Sequence, residues 1–139
     1  MNQSTDDPQL YKALFTALSE GFSLHRLVRN DAGEATDFEY IEVNAAFLQF
    51  LGLRRDQVIG YRASQLFPDL EPFWLEGFAR VVDTGVRERL EEYSNSIDKH
   101  FSVLIYPAGD DRFVTLFQDV SDRVRREREL RENKERLDF

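Results

Sequence analysis

The sequence predicts an α+β fold, on three observations. Strand-like runs occur as a group of two and a group of three, the helical patterns between them are mostly short, and the last helical pattern is almost wholly charged. With 139 residues, 42% hydrophobic content and twelve Phe, the chain is the size of one domain and can fill a core.

Residues 1–8 read as a disordered leader. In "QLYKALFTALSEG", Leu10, Leu14 and Leu18 share one helical stripe with Ala17, which predicts a flanking helix over 9–20 stopped by Gly21. "FSLHRLV" and "DFEYIEV" are strand runs joined by the turn residues Asn30, Asp31 and Gly33, hence a hairpin. Asn44 precedes "AAFLQFLG" as an N-cap would, its oxygen taking a free amide of the first turn, and Gly52 is the C-terminal stop. "RDQVIG" and "ASQLFPDL" suit brief helical turns. "EPFWLEGFARVVDTG" is a longer helix with Pro72 early, Trp74, Phe78 and Val81/Val82 on one stripe, and Gly85 at its end.

Three strands follow: "VRERLEEYS", "HFSVLIYP" and "RFVTLFQDV". The last two are apolar on both faces, so both faces need cover. Phe101, Val103 and Ile105 oppose Leu104 and Tyr106, and Phe113, Thr115 and Phe117 oppose Val114 and Leu116. One face belongs to the core. For Leu104, Tyr106 and Leu116 on the other, the stripe of Leu10, Leu14 and Leu18 is the apolar surface left to act as a lid.

Charge and cysteine content exclude several functions. The net charge of −8 opposes a phosphate backbone, so nucleic acid is not an expected partner. Neither a secretory signal nor a membrane span is visible, which makes a cytoplasmic protein the default. Without cysteine there is no disulfide, thiolate nucleophile or cysteine metal site, and only His25 and His100 remain as imidazole ligands. His25, mid-strand and without a second ligand, reads as a hydrogen-bonded structural residue. His100 reads as a surface residue. No metal site and no catalytic residue is assigned: Glu39, Glu42, Glu88, Glu91 and Glu92 sit in half-exposed segments, and no nucleophile–base pair emerges. The expectation is a non-enzyme.

The succession "EGFSLHRLV…DFEYIEVNAAFLQFLGL…VIG…LFP", "FARVVDTG", "FSVLIYP" and "FVTLFQDVSDR" resembles a PAS domain, a sensory module of bacterial signalling proteins, over roughly residues 10–125. The resemblance implies a five-stranded antiparallel sheet over residues 21–120, cupping a pocket beneath short helices. Tyr40, Phe47, Trp74, Phe78, Val103, Ile105, Thr115 and Phe117 are the residues that would line it. Core packing is the competing account of Trp74 and Phe78. Asp119, Val120, Ser121 and Asp122 stand where such domains pass into an output helix, here residues 121–139. The implied partners are a second copy of the chain and an effector such as a histidine kinase or diguanylate cyclase. After Asp122 there is no phospho-accepting His and no Gly-Gly-acidic loop.

The resemblance also bounds the ligand. Cysteinyl–flavin photochemistry is impossible without a thiol, and "PFWLEGFARVV" lacks the axial His of haem-binding members. No cofactor is assigned; non-covalent flavin or a small organic ligand stays open, as does a filled core serving only dimerisation. From Asp119 onward there are seven acidic and seven basic residues, so the tail is neutral and residues 1–118 carry the −8. Glu127–Arg131 and Glu132–Arg136 are spaced to pair along a helix, Asp119 or Ser121 can cap its start, and Leu130, Asn133 and Leu137 give one heptad of seam. A short coiled coil and a solvated connector both fit.

Overall fold

The computed structural model describes residues 20–137. Its strands are β1 (Gly21–Arg29), β2 (Ala35–Val43), β3 (Glu88–Ser94), β4 (Lys99–Gly109) and β5 (Arg112–Asp119). They form one antiparallel sheet in the order β2-β1-β5-β4-β3. The helices are α1 (Ala45–Leu51), α2 (Ala63–Leu66), α3 (Pro72–Thr84) and α4 (Ser121–Leu137), with a 3-10 turn at Arg55–Gln57. The chain leaves β2 at one sheet edge and enters β3 at the other. The crossing segment therefore lays α1, α2 and α3 over one face.

Local chemistry accounts for the turns. Between β1 and β2, Asn30 Oδ1 accepts from the amides of Ala32 and Glu34 at 3.0 and 2.9 Å, a side chain standing in for a turn carbonyl. Between β4 and β5, Asp110 and Asp111 both have positive φ, 56° and 62°, the geometry of a two-residue turn that matches strand twist. α1 and α3 end at Gly52 and Gly85, both left-handed, as expected of helix stops. The two brief turns have a feature the sequence reading missed: Gln57 and Gln65 reach back to the amides of Arg54 and Arg62 at 2.9 and 2.7 Å.

Asn44 caps α1, accepting from Phe47 N at 3.0 Å. It does more than cap. The same oxygen accepts from Phe22 N at 2.9 Å, and Nδ2 donates to Glu20 O at 2.9 Å, so one 2%-exposed side chain ties the start of α1 to the entry of β1. Gly21, read from the sequence as a helix stop, is the buried first residue of β1, and Glu20 lies in a bend. A Cβ at Gly21 would lie 2.8 Å from the Phe50 ring and 3.2 Å from Phe47 Cα, so α1 packs where only glycine leaves room. The remainder of the expected 9–20 helix, with Leu10, Leu14 and Leu18, lies outside the described residues.

The inner sheet face carries Leu27, Phe38, Tyr40, Phe101, Val103, Ile105 and Phe113, all buried against Phe47, Trp74, Phe78 and Val81. Each such side chain contributes about 1.5–3 kcal/mol by leaving water. On the opposite face Leu104, Tyr106, Val114 and Leu116 are half-buried.

Replacing Asn44 with Ala should lower stability by about 2 kcal/mol, more than a cap alone, because the half-buried amide of Phe22 loses this acceptor too. Chemical denaturation checks this, and Asn44→Asp, which keeps the acceptor, should recover part of the loss.

Candidate functional site

Between the helices and the inner sheet face the side chains leave a narrow, partly enclosed cavity in which the centre of a water molecule has about 40 Å³ to move. The sheet contributes His25 from β1, Phe38 and Tyr40 from β2, Phe101 from β4 and Phe117 from β5. Phe47, Phe50 and Leu51 come from α1, Trp74 and Phe78 from α3. Phe67 and Leu70 before α3, with Ser94, Ser96 and Ile97 at the β3–β4 turn, complete the wall. The residues proposed from sequence thus divide. Tyr40, Phe47, Trp74, Phe78 and Phe117 meet around the cavity, whereas Val103, Ile105 and Thr115 are buried in the sheet away from it.

Thr115 is turned aside by a polar contact. Directly opposite it in the β1–β5 register stands Ser23, and the two hydroxyls hydrogen-bond. Ser23 Oγ also meets His25 Nε2 at 2.6 Å, so a buried chain Thr115–Ser23–His25 runs across the inner face. His25 is therefore structural and hydrogen-bonded as expected, but it also forms part of the cavity wall. Its ring lies flat on Phe113 at 4.9 Å and meets Phe38 and Tyr40 edge-on at 5.0 and 4.8 Å.

Electrostatics follow from this cage. Burial pushes the His25 pKa down to about 3, opposed only weakly by the Glu39 backbone, because an imidazolium here would lose its water without gaining a carboxylate. Burial likewise pushes the Tyr40 hydroxyl up, with the charge of Asp37 adding to it. Both rings are neutral near pH 7, and no charged side chain lines the cavity among the described residues. At the cavity rim, Glu71 accepts from Trp74 Nε1 at 3.1 Å and from Asn95 N at 2.8 Å, bracing α3 against the β3–β4 turn.

The strand carrying Phe117 also launches α4. Asp119 Oδ1 accepts from Ser121 N at 3.0 Å and so takes up the first amide of α4, one residue ahead of the cap position at Val120; the Ser121 hydroxyl instead accepts from His100 N at 3.0 Å. Val120 N donates to His100 O at 2.9 Å and its side chain is buried. His100 is half-buried against Tyr93 rather than at the surface. Burial works against the Asp119 carboxylate, but Ser121 and then Lys99, at 3.4 Å, outweigh it and hold the group below its ordinary value. Arg123 reaches Glu91 of β3 at 2.8 Å. Asp122, the last residue of the proposed junction, pairs with Arg125 within the helix at 2.9 Å. Among the described residues the other ion pair along α4 is Arg123–Glu127, and neither Glu127–Arg131 nor Glu132–Arg136 comes within ion-pair distance. Leu130 is 72% exposed.

A central antiparallel sheet cupping an aromatic cavity under short helices, with a helix leaving its middle strand, defines a class of small cavity-bearing α+β modules. The model of the PAS fold family matches residues 35–125, and the chain belongs to that family. No curated protein matches it. Solved structures share the fold at low identity. A domain of an HTR-like protein from Haloarcula marismortui is 18% identical with a TM-score of 0.56, covering 74% of this chain and 99% of that one. A domain of a sensory box sensor histidine kinase/response regulator from Geobacter sulfurreducens is 17% identical with a TM-score of 0.54, covering 84% and 94%. The PAS domain of Bordetella pertussis BvgS is 16% identical with a TM-score of 0.51, covering 99% of each chain. No helix among the described residues is long and apolar enough to cross a membrane.

The buried His25 makes stability depend on pH in a definite direction. Below about pH 6.5 the unfolded chain takes up a proton on this residue that the folded chain refuses until about pH 3, so acid favours unfolding. Urea denaturation of the parent should lose about 1.4 kcal/mol per pH unit from this group between those limits. His25→Gln should lack that component, so the stability difference between parent and variant should narrow by about 2 kcal/mol from pH 7 to pH 5.

Proposed function

We propose that this chain is a sensory input module that takes up a small organic molecule in its aromatic cavity and passes the change through α4 to an output domain or partner. The observation that carries the reading is the sharing of one strand. Phe117 forms cavity wall, and two residues later Asp119 holds the first amide of the helix that Val120 and Ser121 bond to β4. A displacement of the wall thus has a short, hydrogen-bonded route to the exit helix, with no intervening loop to absorb it. The sensor histidine kinase/response regulator whose domain shares the fold supports an effector of that kind, and a diguanylate cyclase suits the same helical exit.

The role is non-catalytic and the setting cytoplasmic in this reading. A second copy pairs through α4, where Leu130 stands exposed. The ligand is a small organic molecule rather than haem or flavin, because ligand sites for such groups run to several hundred Å³. A second reading, a ligand-free dimerisation module, draws on the same small volume and the close ring contacts, such as Phe78 on Phe113 at 4.6 Å.

Amide exchange tests the relay. Phe117→Ala should cost about 2–3 kcal/mol and speed exchange at Val120 and Val124 more than at Asn30 and Gly33 of the distant hairpin turn. Phe117→Leu should give the same pattern with smaller amplitude. Equal change at both places would mean general loosening and would remove the relay.

A further inference from the structure

Almost all of the cavity wall is ring or aliphatic surface, but two buried polar atoms in it have no hydrogen-bond partner among the described residues: His25 Nδ1, on a ring held between Phe113, Phe38 and Tyr40, and the Oγ of Ser94, 2% exposed where β3 ends. A buried hydroxyl left unmatched is unfavourable by about 1–3 kcal/mol, so this position favours an occupant able to match it. The other polar atoms of the wall are placed differently: His25 Nε2 is bonded to Ser23, Trp74 Nε1 to Glu71, and Ser96 is at the solvent-exposed turn.

Size and charge narrow the occupant further. At about 40 Å³ the space is smaller than the roughly 150 Å³ apolar cavity known to take benzene, so a single ring is the largest guest it could receive. An anion has nothing to meet here. Among the described residues no cation lines the wall, and at the rim the Glu71 carboxylate is bonded to Trp74 and Asn95. A cation would face rings but lose its hydration without a carboxylate in the wall. Flat aromatic walls favour a flat guest, stacked or edge-on.

From this we infer that the cavity receives an uncharged single-ring aromatic molecule carrying one hydroxyl or ring N–H, hydrogen-bonded to Ser94 Oγ. The inference rests on the sensory reading above and gives that site a chemical class of ligand. Ser94 is then the specificity-determining residue: it separates hydroxylated rings from plain ones, while the uncharged wall rejects carboxylated ones.

Trp74 is the only tryptophan in the chain and lies in the cavity wall, so its fluorescence reports occupancy. The probes are phenol, benzene and benzoate. Phenol should give a saturable change, benzene a weaker one, and benzoate none. Ser94→Ala should weaken phenol about five- to tenfold, the worth of one neutral hydrogen bond, and leave benzene unchanged. Its melting temperature should not fall, since the hydroxyl removed has no protein partner. Benzoate binding as tightly as phenol, no probe reaching saturation, or Ser94→Ala leaving phenol affinity intact would each overturn the assignment; the first two are read on the parent chain and do not depend on the variant folding. Amide exchange at Val124 in the same samples keeps the two proposals apart. Phenol bound with α4 unchanged refutes the relay and leaves the ligand class standing. An α4 that responds to Phe117→Ala while no probe binds refutes the ligand class and leaves the relay standing.

Discussion

β5 is hydrogen-bonded along both edges, to β1 from Gly21 to Arg26 and to β4 from Phe101 to Gly109. This double pairing sets the position of the first and last strands at the middle of the sheet. It also fixes the period-two alternation of β5, so that Phe113, Thr115 and Phe117 must all face inward. Slipping the register by one residue would expose Phe113 and bury Val114 in its place, and would separate Thr115 from Ser23. The position of the cavity wall and the launch point of α4 both descend from that single alignment.

Within this frame the interior is aromatic and uncharged. His25, Phe38, Phe78 and Phe113 meet at centroid separations of 4.6 to 6.2 Å, in a mixture of stacked and edge-on pairs. Rings of this kind fill space without demanding polar partners, and the Ser23 and Thr115 hydroxyls pair across strands, while Ser94 Oγ and His25 Nδ1 have no partner among the described residues. The same desolvation that keeps His25 neutral would disfavour any charged group placed in the cavity.

Charged groups are kept to the outside, where they brace elements against each other. Arg29 of β1 reaches Asp83 of α3 at 2.7 Å and Asp111 of the β4–β5 turn at 3.1 Å, and Arg80 of α3 grips Glu88 of β3 with two hydrogen bonds at 2.7 and 2.8 Å. Pairs as exposed as these add little stability each, but they hold α3 in one orientation over the sheet. At the other end, the contacts of Asp119, Ser121 and Arg123 do the same for the first turn of α4. Beyond it the helix carries mostly exposed, charged residues, as a connector between folded bodies does.

By itself the sequence determined the five strands and the helices from α1 onward, because these depend on near neighbours: alternating apolar residues in β5, Asn44 before α1, Gly52 and Gly85 after their helices; Gly21, read as a helix stop, instead opens β1. It also determined the family, through motifs in order, and the neutrality of the tail. Only the tertiary structure decided which inward residues face a gap and which face another side chain. Thr115 and Phe117 share a face and look equivalent along the chain, yet Ser23, 92 residues away, takes up the Thr115 hydroxyl, while Phe117 is left as wall. Ser94 and Ile97 had no local signal either, for the β3–β4 turn becomes cavity wall only when α3 is laid across the sheet. A cavity is what packing leaves over, and that remainder depends on contacts between residues far apart in the chain.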